Sequence, residues 1–412
     1  MVWDYQHLIS RRLLYWSAIS MIAGISLSLS GGDFWRGFGI QALAWGLVDA
    51  IIAGFGLRGS LPKLFMPFEL ETAIREAHKL RRILWVNTWL DVVYISTGVA
   101  LYLTRGQTDD FFAGTGIGII LQGGFLLVFD WWHYRNTPYE SLLPDLGIFN
   151  EKEHDTTTLP GKRGAVLIVH GFPGSPAEML ALAKAINQQG WHVRLARLPG
   201  HGKEFRRLLQ VRAIEWQASI RREVDDLKAA YSPLVLLGYS LGGGIFLSMA
   251  KDLSADRLIL VSPFWMPQKW WLNGALFFLR PLLPVAFRPF RAPWLKPEHF
   301  QASSTEILPG FDLHDPEVRE KLMQIRLPVI FLEQFQWLSR RIWNNVSKIK
   351  IPVLVVQGNQ DPVVRKETTR LLVKQIIAPC DYIEIEGDHN INLPSNPGYP
   401  ALEAAVLQYL KH

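Results

Sequence analysis

Leu234-Val235-Leu236-Leu237-Gly238-Tyr239-Ser240-Leu241-Gly242-Gly243 decides the fold class of this 412-residue chain. Its first four residues are an apolar run that reads as a strand buried on both faces. The run breaks at Gly238, and a helical segment opens after Ser240. Gly-x-Ser-x-Gly arises readily by chance, but between a buried strand and a helix it marks a sharp turn. That turn pushes the Ser240 hydroxyl above the strand ends, where the following helix N-terminus favours developing negative charge.

Further strands are expected on either side, at Ala165–His170, His192–Leu198, Arg257–Ser262, Pro352–Gln357 and Tyr382–Glu386. Helical segments alternate with them: Ala177–Gln189, Ala213–Ala230, Leu241–Leu253, Glu367–Ile376 and Ala401–Lys411. This alternation predicts an α/β domain with a mostly parallel sheet. An acid and a base fall at the ends of late strands. Asp361 follows Val353–Gly358 and His389 follows Tyr382–Glu386. A serine hydroxyl is a poor nucleophile until an imidazole takes its proton, and that imidazole needs a carboxylate to fix its tautomer. Asp388 is a rival acid, but adjacent side chains usually point apart, so Asp361 ranks ahead of it.

Residues 164–412 resemble the α/β-hydrolase family, in particular its carboxylesterase and monoacylglycerol-lipase-like branch. The resemblance rests on four features: the serine turn, the chain order Ser, Asp, His, the loop His170-Gly171-Phe172-Pro173-Gly174-Ser175, and Arg197-Leu198-Pro199-Gly200-His201-Gly202. It implies that Ser240 is the nucleophile, His389 the base and Asp361 its orienting acid, with the Phe172 and Leu241 backbone N–H groups as the oxyanion hole. Serine at the turn argues against the haloalkane dehalogenase and epoxide-hydrolase branches, which place Asp there. No cofactor is expected, because the sequence shows neither a metal-ligand cluster nor a dinucleotide fingerprint.

The N-terminal third is different. The chain is 49% hydrophobic and only 19% charged, and four apolar stretches account for much of that bias: Leu13–Ser30, Phe38–Leu57, Ile83–Leu103 and Phe111–Phe129. Each is long enough to cross a bilayer, so residues 1–135 read as a bundle of four transmembrane helices, not a signal peptide. Trp and Tyr recur near the span ends, as at a membrane interface, although Asp49 and Asp91 would also suit buried helices of a soluble domain. Lys and Arg gather before the first span, between the second and third, and at Arg135, whereas the alternate loops hold Arg36 and Arg105. The positive-inside rule then places both termini and the hydrolase domain in the cytoplasm, in keeping with the single cysteine, Cys380. The net charge of +6 sits beside apolar segments and no nucleic-acid-binding pattern is present, so membrane rather than nucleic acid is the expected partner.

Between the second and third spans, Leu70, Ile74, Ala77 and Leu80 share one helical face; a helix there would lie on the inner leaflet or connect the spans in solvent. Asp49 and Asp91 both fall about 12 Å inside the cytoplasmic boundary at ~1.5 Å per residue. With Asn87, Gln122 and Asp130 they read as a hydrogen-bonded packing cluster rather than a transport site. Residues 136–163 read as a linker, and about 263–348 as a cap over the active site. The cap mixes Phe264, Trp265, Trp270, Trp271, Phe277, Phe278, Phe287, Phe290 and Trp294 with Lys269, Arg280, Arg288, Arg291 and Lys296, a composition suited to docking on an anionic inner leaflet or, for the aromatics alone, to lining the cap's own core and acyl pocket.

These features together predict a membrane-anchored serine hydrolase of lipid-like carboxylic esters. Acyl transfer or thioester hydrolysis would use the same residues. A membrane regulator or transporter with the hydrolase domain as a binding module is the reading from another class. Nothing in the sequence fixes an oligomeric state.

Overall fold

A computed structural model of the chain describes residues 2–29, 31–65, 70–137, 143, 147, 149–267, 286–287, 316–325 and 327–411. These form two units: the helices before residue 140 make the first, and the described residues from Leu143 onward make the second.

The second unit is built on a seven-stranded sheet. Its strands are β1 (Thr157–Leu159), β2 (Ala165–Val169), β3 (His192–Ala196), β4 (Leu234–Tyr239), β5 (Arg257–Val261), β6 (Val353–Gly358) and β7 (Cys380–Ile385). They lie in the order β1-β3-β2-β4-β5-β6-β7 and are parallel except for β1, which runs antiparallel to β3. Strands β2, β4 and β6 are buried throughout, which is why they read as unbroken apolar runs. Helices flank the sheet: α5 (Leu180–Gln188), α6 (Ala213–Ala230), α7 (Leu241–Ser248), α10 (Lys366–Val373) and α11 (Tyr399–Tyr409), while α8 (Pro316–Gln324) and α9 (Val329–Asn345) lie in the insertion between β5 and β6. One core joins Ile168, Leu237, Ile259 and Val356 of the sheet to Leu182 and Ile186 of α5 and Val406 of α11. Together these make an α/β-hydrolase fold.

The register explains where the site forms. Val169 pairs with Gly238 and Tyr239 with Val261, so the chain leaving β2 at His170 runs beside the turn at Ser240. Ligands of open parallel sheets bind at such strand C-terminal ends.

Several sequence expectations need correction. The stretch read as linker carries structure: Lys152–His154 forms a 3-10 turn and Thr157–Leu159 the edge strand β1. Three residues are too few to show a period, so the strand was not legible. Helix α7 ends at Ser248, short of Leu253, and a 3-10 turn at Ala250–Asp252 follows. Of the cap, Phe264, Trp265, Phe287, α8 and α9 are described; Lys269, Trp270, Trp271, Phe277, Phe278, Arg280, Arg288, Phe290, Arg291, Trp294 and Lys296 lie outside the described residues, as do linker residues Pro138 and Pro144.

The first unit holds α1 (Val2–Leu29), α2 (Asp33–Ser60), α3 (Leu70–Thr104) and α4 (Asp110–Asn136). All four are long and apolar enough to cross a membrane. They overrun the apolar stretches read from sequence because breakers and caps, not hydrophobicity, end helices. Gly31 and Gly32 adopt φ of 83° and 93° between α1 and α2, and Asp109 caps α4 by accepting the Phe111 N–H at 2.8 Å. The expected separate helix over Leu70–Leu80 is the first part of α3 itself, since no Gly or Pro interrupts the sequence there. Ala77 is buried against Val2 and Trp3 of α1, so one face of this segment packs on the bundle and it is not a free-standing connection in solvent.

Packing in this unit is inverted relative to a water-soluble bundle. Ile22, Leu29, Phe55, Val93 and Val128 are exposed, whereas Asp49, Asp91, Gln122 and Asp130 are buried. Gln122 Nε2 donates to Asp49 Oδ2 at 2.7 Å, Asn87 bonds Asp130, and Gln41 bonds Tyr94. Close helix approach needs small residues: a Cβ on Gly24 of α1 would stand 2.6 Å from the Leu43 backbone nitrogen of α2.

Candidate active site

Ser240 occupies the turn between β4 and α7 with φ 47° and ψ −112°, a left-handed conformation that strains a residue with a Cβ. Glycines make the turn possible. A Cβ on Gly242 would collide with the Val169 carbonyl, and one on Gly238 would stand 2.5 Å from the Gly243 nitrogen. The turn is tied down as Ser240 N–H donates to the Val261 carbonyl at 2.9 Å and Phe264 N–H donates to the Ser240 carbonyl at 2.9 Å.

His389 and Asp361 converge on it. His389 Nε2 lies 3.0 Å from Ser240 Oγ, and His389 Nδ1 lies 2.7 Å from Asp361 Oδ2. An ionised carboxylate only accepts, so Nδ1 carries the proton and Nε2 is free to accept the serine proton. Asp361 has further donors: Gln357 Nε2 to Oδ2 at 3.0 Å, and the Val363 and Val364 N–H groups to Oδ1, both at 2.8 Å. The loop holding His389 is fixed from beneath by Tyr239, whose hydroxyl donates to the His389 carbonyl at 3.1 Å. Asp388 points elsewhere, accepting from Asn390 N–H and Asn396 Nδ2, both at 2.8 Å.

The loop after β2 runs alongside. Gly242 N–H donates to the His170 carbonyl at 3.1 Å, which joins the two turns. The N–H groups flanking Phe172 and Leu241 are committed, since Gly171 donates to Glu178 Oε1 at 2.5 Å and Gly242 to His170. The Arg197–Gly202 segment buttresses this loop. Leu198 N–H donates to His170 Nε2 at 3.1 Å, and Arg197 bonds both Asp155 at 3.0 Å and the His201 carbonyl at 3.0 Å. Burial drives His170 well below the usual histidine range and lowers His201 to about 4, so both rings are neutral at physiological pH.

Residues the sequence did not single out complete the surroundings. Phe335 and Phe331 of α9 pack on Phe172 at ring distances of 5.2 and 5.9 Å, and Phe335 also meets Phe264 at 5.4 Å. Their signal was an amphipathic helix inside the cap, which says nothing about which face meets the serine. Among the described residues no group of His, Cys, Asp and Glu is arranged to hold a metal.

Residues 160–387 match a family model described as serine aminopeptidase, S33. This chain belongs to that α/β-hydrolase family. Residues 12–131 match a second model, a family of unknown function, DUF6992. Among curated relatives of the S33 domain is the thermostable monoacylglycerol lipase of Bacillus sp. (strain H-257), 26% identical over 232 residues, or 53% of this chain and 84% of that one. A carboxylesterase of Bacillus subtilis (strain 168) is 22% identical over 223 residues, covering 53% of this chain and 80% of its own. A solved structure of the metagenome-derived lipolytic enzymes LipS and LipT overlays with a TM-score of 0.49 at 20% identity, covering 63% of this chain and 99% of that one.

Proposed function

We propose that this S33-family chain is a membrane-anchored serine hydrolase that cleaves carboxylic esters of lipid-like substrates through an acyl-enzyme on Ser240. The chain is a carboxylic ester hydrolase by its family and its lipase and carboxylesterase relatives. In this reading His389 takes the Ser240 proton and later returns it to the leaving alcohol, Asp361 orients His389, and the Phe172 and Leu241 N–H groups bind the oxyanion. The observation that carries the reading is the Ser240–His389–Asp361 chain, with 3.0 and 2.7 Å contacts at neighbouring strand ends. The aromatic group of Phe172, Phe264, Phe331 and Phe335 suits an apolar acyl chain beside the reacting carbonyl.

A substrate panel tests it. Full-length protein in membranes should hydrolyse long-chain monoacylglycerols far faster than acyl thioesters or aminoacyl amides, and the Ser240→Ala variant should hydrolyse none of them. Preference for a thioester, or for an aminoacyl amide as the family description suggests, would reassign the substrate. Acyl transfer to an added alcohol would reassign the reaction.

The inverted packing of the first unit supports four membrane spans, with residues 1–135 as the membrane domain. Residues 136–163 then connect to the hydrolase domain, their last part supplying β1, and the cap insertion covers about 263–348. The loop charges support a cytoplasmic hydrolase domain. Protease added outside intact cells is therefore expected to spare everything after residue 160. Rapid loss of that region before lysis would reverse the topology.

A further inference from the structure

We propose that the buried Glu178 carboxyl is a positioning residue of the active site: it holds the N–H of Gly171, and that residue's own carbonyl shares a peptide with the Phe172 N–H, so Glu178 and His170 together fix how Gly171 presents that N–H. This rests on Ser240 as nucleophile and Phe172 as oxyanion donor. Glu178 lies in the 3-10 turn Pro176–Met179, and its buried side chain reaches back over the loop to accept the Gly171 N–H at 2.5 Å. The carbonyl of the same residue is held from the other side by His170 Nδ1 at 2.8 Å. Because Leu198 N–H donates to His170 Nε2, the proton of that ring is on Nδ1, and Nδ1 is the donor. The peptide unit is planar, so fixing the Gly171 carbonyl fixes the direction of the Phe172 N–H. Gly174 makes room for the arrangement, since a Cβ there would stand 2.7 Å from Glu178 Cδ. Asn392, just past His389, donates to the Glu178 carbonyl at 3.1 Å and ties the turn to the base's loop.

The charge state matters as much as the position. Burial pushes Glu178 up to about 8, although the Gly171 N–H opposes the shift. The titratable groups facing it are His170 from its own loop and Tyr239 from β4. His170 is held neutral, 4.0 Å away, and burial holds the Tyr239 phenol well above its ordinary value. Neither supplies a positive charge, so the carboxyl is neutral below about pH 8. Above that it places a negative charge beneath the loop that must stabilise an oxyanion. The loss then falls on the chemical step and spares substrate binding.

The test follows kcat and KM for a short soluble ester across alkaline pH, with full-length wild type, Glu178→Gln and Glu178→Ala. Wild-type kcat should fall roughly tenfold per pH unit beyond about pH 8, with KM unchanged. The Gln variant, still an acceptor but uncharged, should stay within about threefold of wild type at neutral pH and lose the alkaline fall. The Ala variant should lose roughly 10- to 100-fold in kcat at every pH. An unchanged alkaline fall in the Gln variant, or wild-type kcat in the Ala variant, overturns the proposal. Should both variants fail to fold, the wild-type acylation rate decides: constancy from neutral pH to well above pH 8 overturns it as well. Covalent labelling of Ser240 by a fluorophosphonate, scored separately, shows whether a failure belongs to Glu178 or to the nucleophile assignment beneath it.

Discussion

Ser240→Ala is expected to lower turnover on the order of 10⁶-fold, because the acyl-enzyme route loses the atom that forms the new bond. The fold should survive the change. Alanine keeps the Cβ, so the strain at φ 47° is unaltered, and the backbone bonds to Val261, Gly244 and Phe264 remain. Thermal unfolding of the variant should therefore match wild type, which separates lost chemistry from lost structure. A fluorophosphonate should label wild type and leave Ser240→Ala unlabelled. Ser262 is the natural control. It too has a positive φ, 42°, but it is fully buried behind β5, so Ser262→Ala should label like wild type. Equal labelling of wild type and Ser240→Ala would place the nucleophile elsewhere and remove the basis for an acyl-enzyme on Ser240.

The parts of the fold legible in the sequence are those whose signal is local. Strands β2, β4 and β6 are central and buried on both faces, so each is an apolar run ending in a glycine or loop. The Ser240 turn was legible because its glycines stand at fixed places between a buried strand and a helix, even though one of the approaches that require them, Gly242 to Val169, is to another strand. Glu178 left no such signal. In sequence it is one acidic residue in a helical segment; only the folded loop brings Gly171 to it, and only burial keeps it neutral. Gln357 is similar: it ends an apolar strand, yet it donates to Asp361 while accepting from Thr369 at 2.7 Å. The long helices show a different limit. Hydrophobicity marked where a bilayer could be crossed, but helix ends depend on caps and glycines, so α3 absorbs a segment that composition alone had set apart.

Asp361→Asn is the second large effect expected, about 10⁴-fold in kcat at neutral pH with KM little changed. The hydrogen bonds around the carboxylate predict how the asparagine must sit. Its Oδ1 position receives the Val363 and Val364 N–H groups, both at 2.8 Å, so an amide nitrogen there would face two donors. The two backbone N–H groups cannot change role, so the amide oxygen takes that side; the nitrogen turns toward His389, and the bond that Gln357 Nε2 donated to this position is lost. Facing a donor, His389 Nδ1 must become an acceptor, which moves the ring proton to Nε2. The imidazole then presents N–H to Ser240 and has no lone pair for its proton. The geometry of the site survives while its proton inventory is wrong, and that is why kcat falls and KM does not. Asp388→Asn carries the contrasting expectation. Its Oδ1 accepts from Asn390 and Asn396, away from the imidazole, so the variant should keep activity within several-fold of wild type and lose mainly loop stability. Side-by-side kinetics decide between the two acids: a larger kcat loss in Asp388→Asn than in Asp361→Asn would transfer the orienting role to Asp388.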